Sequence, residues 1–333
     1  MNRRLFEYDP NFAFRFIPGL KARVDHEGGG YLLRTNAQGF RCDHDFDASK
    51  AEGTYRILLF GDSYTAGDGV SNKNRYGDRL EAIVPGIEVF NFGLSGSGTD
   101  QHYLIYQKLA TGVDHDLVVI GILVENIRRV VARLRPFISA EGEDLVLAKP
   151  YYRLEDSGEL TLYNVPVPED PIQPKDLSPE DRAFLDQGGR MVWLRQTVNA
   201  MGSQVKEFAQ KVTGYQPLPE YDDPDGEAWQ LMKAILVKWI GEMNRPVVIC
   251  PIPLYQYIEG TASPEGYRAR FRELEEIEGV VVHDPLDDFL AHPAEARRNF
   301  RFPKDCHLTS AAHQVLAESL APRIQELMSR SRE

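Results

Sequence analysis

Three groups of residues in this chain could do chemistry together. Ser63 ends the apolar run "RILLFGDS" (56–63), and a serine hydroxyl becomes a nucleophile once a base takes its proton. Asp305 and His307 stand in "FPKDCHLTS" (302–310), and a histidine beside a carboxylate is a common base for that purpose. The glycine-rich "NFGLSGSGTD" (91–100) and the "VENIRR" stretch (124–129), which contains Asn126, complete the set. Acyl transfer needs such parts: a nucleophile, a base, an acid to orient the base, and donors for a developing oxyanion. Each residue alone has an ordinary reading. A serine after a strand is commonly a helix cap, loop glycines make turns, and a single histidine often packs in a core. Their common position in the fold decides between the two.

That position follows from the elements around them. Five short runs rich in Val, Ile, Leu and Phe occur at 56–61, 87–93, 116–123, 246–253 and 279–285. They are continuous rather than alternating, as expected for strands buried on both faces of a parallel sheet. Helical patterns lie between them: "NRYGDRLEAIV", "TDQHYLIYQKLA", "DGEAWQLMKAILVKWIGEM" with Trp229, Met232, Leu236 and Trp239 at helical spacing, and "EGYRARFRELEEI". A last helix after "HLTS" sets Val315, Leu316, Leu320, Ile324 and Leu327 on one face. The alternation predicts a doubly wound α/β sheet. In such sheets ligands bind outside the carboxyl ends of the strands. Ser63 follows the first strand, the glycine loop the second, Asn126 the third, and the Asp305/His307 pair precedes the final helix.

Two regions break the alternation. Residues 1–53 form an N-terminal extension with a glycine run at Gly28–Gly30 and a strand or two around "YLLRTNAQGFRCD", turning at Asn36 to Gly39. Residues 135–225 read as an inserted subdomain, with a hairpin turning at Asp156-Ser157-Gly158 and a helical stretch from "SPEDRAFL" to about Val212. The main domain then comprises 54–134 and 226–333.

With 42% hydrophobic and 26% charged residues, the 333-residue chain has the composition of a packed protein. Its formal net charge of -12 argues against nucleic acid or an anionic membrane as partner, since phosphates need clustered Lys and Arg. No run of about 18 apolar residues and no signal-peptide pattern is readable, so a membrane span is not expected and a cytoplasmic location is. Cys42, Cys250 and Cys306 are odd in number and lack C-x-x-C spacing, which disfavours a disulfide scaffold and a structural zinc site.

The four motifs in order resemble the SGNH/GDSL hydrolases. "FGDSYTAGDG" resembles their first block, Asn91 to Gly96 in "NFGLSG" the second, Asn126 in "VENI" the third, and "KDCHLTSAAH" the last. The third block lacks the family's flanking Gly and Asp, and Lys304 occupies the acid position of the commoner Asp-x-x-His spacing. Some branches, including alginate O-acetylation proteins, use Asp-x-His, which designates Asp305. "TNAQGFR" is similar to bacterial members associated with glycan or natural-product modification.

The resemblance implies a flavodoxin-like three-layer α/β sandwich with a five-stranded parallel sheet. It implies Ser63 as nucleophile, His307 as base, Asp305 as acid, and an oxyanion hole from the Ser63 and Gly96 N–H groups and the Asn126 amide. No metal and no cofactor are implied. The expected activity is a serine esterase removing a small acyl group, foremost acetyl, from a sugar or decorated metabolite. Its partner would be a small-molecule or carbohydrate ester. The alternatives are an O-acyltransferase using the same acyl-serine and a non-catalytic binding module. Tyr151, Tyr152 and Arg153 in the insertion are expected to bind substrate. The α/β-hydrolase elbow G-x-S-x-G and the G-x-G-x-x-G dinucleotide loop do not match. His283-Asp284, Cys306 and His313 are read as bystanders.

Overall fold

In the computed structural model, which describes residues 5–138, 143–183, 185 and 216–331, the chain opens with two antiparallel hairpins. These are β1 (Phe6–Asp9) with β2 (Ala13–Phe16), and β3 (Lys21–Val24) with β4 (Tyr31–Arg34). The extension therefore holds four strands, where the sequence suggested one or two. The first hairpin turns on Asp9, whose Oδ1 accepts the N–H groups of Asn11 and Phe12. The expected turn at Asn36 to Gly39 is present. Asn36 Oδ1 accepts from Gln38 and Phe40, and Gly39 sits at φ +78°, with Phe16 O only 2.4 Å from where a Cβ would be.

The five apolar runs become β5 (Tyr55–Gly61), β6 (Ile87–Asn91), β7 (Leu117–Leu123), β12 (Val247–Ile252) and β13 (Val280–Val282). They form one parallel sheet in the order β6-β5-β7-β12-β13. Counted along the chain this is 2-1-3-4-5, the flavodoxin-like order, whose switch point lies beside the first and third strands. All residues of β5, β7 and β12 are buried, which is why these runs are apolar without alternation.

Among the described residues, and besides the helical residues 179–183, the α-helices are α1 (Ser63–Ala66), α2 (Tyr76–Ile83), α3 (Thr99–Ile105), α4 (Asn126–Arg129), α5 (Glu227–Gly241), α6 (Tyr255–Ile258), α7 (Glu265–Arg272), α8 (Leu286–Leu290), α9 (Ala294–Arg298) and α10 (Ser310–Arg330). α2 packs on α10 and α3 on α5, so that helices flank the sheet. The predicted stripe of α10 is buried at Val315, Leu316, Leu320, Ile324 and Leu327. No helix among the described residues is long and apolar enough to cross a membrane.

Between β7 and α5 lie two further hairpins. β8 (Leu134–Ile138) pairs with β9 (Asp144–Ala148), and β10 (Tyr151–Leu154) pairs with β11 (Leu160–Tyr163). The second is the expected one, with Gly158 at φ +83° in its loop. The first was not foreseen, because "LRPFI" carries a proline and lacks a turn dipeptide. A small apolar cluster of Leu134, Val146, Ala148, Val167 and Leu177 forms here apart from the main core. The N-terminal hairpin is bound to it: Val167 N–H donates to Pro10 O at 2.8 Å. Residues 179–183 are helical, and the rest of the helical stretch expected to about Val212 lies outside the described residues apart from residue 185.

Candidate active site

Strand β5 ends against its neighbour with no room for a side chain. A Cβ on Gly61 would lie 2.1 Å from Thr65 Oγ1 and 2.6 Å from Gly121 O, so glycine lets the chain turn at once into α1. The helix cap is Asp62, not Ser63: Asp62 Oδ1 accepts the Tyr64 N–H at 2.9 Å. The Ser63 hydroxyl is thereby left for another partner. His307 Nε2 stands 2.8 Å from Ser63 Oγ.

Asp305 accepts from His307 twice through Oδ1, from Nδ1–H at 2.6 Å and from the backbone N–H at 3.1 Å. Those bonds assign the imidazole tautomer, with the proton on Nδ1 and the Nε2 lone pair toward the serine hydroxyl. Two residues of the N-terminal extension hold the acid in place. His26 Nε2 lies 3.0 Å from Asp305 Oδ2, while its Nδ1 accepts the Gly28 N–H at 3.2 Å, so Nε2 carries the hydrogen and donates. The Glu27 carboxylate accepts the N–H groups of Lys304 and Asp305 at 2.9 and 2.7 Å. Glu27 therefore clamps the backbone of the 304–305 turn, and the Asp-x-His spacing suffices to bring Asp305 onto the ring.

Electrostatics follow from these contacts. Burial pulls the His307 pKa down, but the hydrogen bond to Asp305 and the charges of Asp68, Asp305 and Asp62 outweigh it and raise it above the ordinary histidine value. Burial pushes the Asp305 carboxyl up, yet its bonds to His307 and His26 hold it well below the usual carboxylate range. Tyr64, next to the serine, donates its hydroxyl to Cys306 O at 2.9 Å and packs its ring 5.1 Å from the imidazole. α1 thus carries the Ser63 hydroxyl and also props the loop that bears His307.

Against the end of β5 and α1 lies the second loop, whose Leu94 N–H donates to Gly61 O at 3.0 Å. Asn91 shapes it, accepting the Gly93 N–H at 2.9 Å and donating to Thr65 O at 3.0 Å. Gly96 adopts φ +77°. No acceptor among the described residues takes up the N–H of Ser63 or of Gly96. Asn126 opens α4, and its Nδ2 lies 3.4 Å from Asp62 Oδ2. That carboxylate would repel the amide oxygen, so it fixes which end of the amide faces the Asp62–Ser63 turn. Asp62 is fully buried, which raises its pKa, and Arg129 opposes the rise through an Nη1–Oδ2 bond of 2.9 Å. The same Arg129 nitrogen donates to Ser97 O at 3.0 Å, stitching the loops after β5, β6 and β7 together. Asn126→Ala is expected to lower kcat by on the order of 10²–10³ with KM little changed, as removal of one oxyanion donor does. Steady-state kinetics on one activated ester checks this.

The remaining candidates sit elsewhere. Tyr152 is buried, stacked 5.5 Å from Tyr103. Tyr151 stacks on Tyr163 at 5.5 Å, and the Arg153 guanidinium lies over the same ring. Packing against α3 occupies Tyr152 and packing across β10 and β11 occupies Tyr151 and Arg153, and none of the three lines the cleft beside Gly96. Asp284 is bound by Arg268 and Tyr267, Asp287 by Arg268, and Asp288 by Ser319, whose hydroxyl also meets His283. Asp305, Cys306 and His307 lie close enough to suggest a metal site, but both nitrogens of His307 are engaged by Asp305 and Ser63. Sequence reading missed His26, Glu27 and Arg129. The "DHEGGG" run marks a turn but carries no sign of its partner.

No protein-family model matches the chain, and no curated protein matches it. Among solved structures it is similar to a lipolytic protein of the G-D-S-L family from Veillonella parvula, at 12% identity and TM-score 0.41, over 80% of this chain and 96% of that one. It is similar to the acetyl xylan esterase AlAXEase at 13% identity and TM-score 0.42, over 81% and 99% of the two chains. It is also similar to TesA, at 13% identity and TM-score 0.43, over 82% and 99%.

Proposed function

We propose that this chain is a serine esterase of SGNH/GDSL type that removes a small acyl group, foremost acetyl, from an oxygen of a sugar or decorated metabolite in the cytoplasm. One observation carries the reading: the hydrogen-bonded chain Ser63–His307–Asp305, ending at the carboxyl edge of β5 beside two unbonded backbone N–H groups. In the reaction, Ser63 Oγ attacks the ester carbonyl while His307 Nε2 takes its proton, and Asp305 stabilises the imidazolium. The N–H groups of Ser63 and Gly96 and the Asn126 amide hold the oxyanion. His307 then returns the proton to the departing alkoxide oxygen. Water, deprotonated by the same ring, attacks the acyl-serine carbonyl, releasing the acid and restoring the hydroxyl.

A short acyl group is favoured because the insertion shows no long apolar run that would cover a fatty chain. Acetyl, butyryl and octanoyl p-nitrophenyl esters test this. kcat/KM should be highest for acetyl and fall by at least about tenfold by octanoyl. A fluorophosphonate probe should label Ser63 stoichiometrically, as read by peptide mass. Absence of both turnover and labelling would leave a binding module as the better reading.

A further inference from the structure

Beside Gly96 opens a cleft of about 260 Å³, between the N-terminal hairpin and the β8–β9 hairpin. Three cationic side chains line it: Arg129, Arg135 and Lys149. Two of them are neutralised. Arg129 is paired with Asp62 at 2.9 Å, and Lys149 with Asp100 at 2.6 Å. Arg135 has no carboxylate partner and no hydrogen bond among the described residues, although it is only partly exposed. Asp68, whose charge reaches it, is already engaged by the Ser95 hydroxyl and faces Arg41.

The unpaired guanidinium is nonetheless held in position. On one side it lies over the Phe14 ring, 4.9 Å from the centroid. On the other it rests against the backbone of Gly96, so closely that a Cβ there would fall 2.2–2.4 Å from its nitrogens and Cζ. Burial and the nearby charge of Arg129 pull its pKa down, the mark of a cation kept without a counter-ion. Holding such a group partly out of water costs stability unless a ligand completes it. Its fork suits the planar or tetrahedral oxygens of an anion.

We propose that Arg135 is an anion-recognition residue: the ester substrate carries a carboxylate, sulfate or phosphate group, on the alcohol side, that pairs with this guanidinium in the cleft beside Gly96. The proposal rests on the esterase reading above for its catalytic expression, but the binding site stands on its own geometry. The carboxylate partners of Arg129 and Lys149 keep those two cations from competing for the ligand.

The test compares an O-acetylated methyl hexoside with its hexuronide, sulfated and phosphorylated counterparts. The intact protein should prefer at least one charged substrate by about tenfold or more in kcat/KM, the worth of a hydrogen bond to a charged group. Arg135→Gln should collapse that ratio toward one. No preference for any of the three anions, or an equal loss on charged and neutral substrates, would overturn the assignment. A binding arm separates it from the esterase reading. Calorimetry on the Ser63→Ala protein should show deacetylated methyl hexuronide, sulfate ester or phosphate ester binding, weakened about 10- to 100-fold by the added Arg135→Gln change. Charged-ligand binding without any ester turnover would sink the esterase reading alone. Ester turnover with neither charge preference nor anion binding would sink the anion site alone.

Discussion

Replacing Ser63 with alanine is expected to lower kcat on p-nitrophenyl acetate by on the order of 10⁴- to 10⁶-fold, as loss of a serine nucleophile does elsewhere. The fold should survive. Ser63 is buried, but its structural duties fall to its backbone carbonyl, which accepts from Gly67 and Asp68, and the α1 cap belongs to Asp62. The side chain loses only its contact with His307. A Tm shift of no more than about 2–4 °C follows, the size of one lost hydrogen bond. Differential scanning calorimetry and initial rates, measured on one preparation, check both halves. Activity should persist in EDTA, since the proton transfers run through His307 alone. Full activity in the alanine protein would remove Ser63 from the mechanism.

Asp305→Asn should lower kcat by about 10⁴-fold, the cost of losing tautomer control over the base. An asparagine can accept through only one of its two terminal atoms, whereas Asp305 receives His307 on Oδ1 and His26 on Oδ2. One of the two ring N–H groups would then face an amide N–H. The pH profile carries a second signature. His307 must be neutral to act as base, and its pKa is raised, so activity in the native protein falls as pH drops through a midpoint above the ordinary histidine value of about 6.5. Without the carboxylate, burial is less opposed, and the acid limb of kcat/KM moves to lower pH. Alanine at Asp284, Asp287 or Asp288 should change neither rate nor limb, because those carboxylates serve Arg268, Tyr267 and Ser319. If one of them carried the acid limb instead, the assignment of Asp305 would be wrong. His26→Ala, which removes the second donor to Asp305, should lower kcat by about tenfold, roughly one hydrogen bond to a charged group, while KM stays near its native value.

How much of this was legible beforehand depends on the distance over which each feature is encoded. The five strands were readable because burial on both faces leaves a local record, an unbroken run such as "LVVIGIL" in β7. The stripe on α10 was readable through its helical period, and the Gly61-Asp62-Ser63 turn because a strand delivered it. Ser63 and Asn126 could be placed at strand ends, which an open α/β sheet gathers along one edge, while Asp305 and His307 lie beyond two helices after β13 and were singled out through the family resemblance.

What the chain alone did not disclose are pairings between segments far apart, where neither partner's neighbourhood hints at the other. His26 meets Asp305 across 279 positions, and Arg129 bonds to Asp62 across 67. Lys149 is matched to Asp100 across 49, which is why Arg135, no different in sequence from any other arginine, alone keeps its charge unanswered in that cleft. Tyr151, Tyr152 and Arg153 show the converse. Their types suggested recognition, but strand pairing turned Tyr152 into the core and set the other two against Tyr163. Local patterns of burial determine which elements form and which end of a strand bears the serine. Charge pairing and side-chain direction are decided only when the elements pack, because the energy of a buried ion depends on the partners that tertiary structure brings to it.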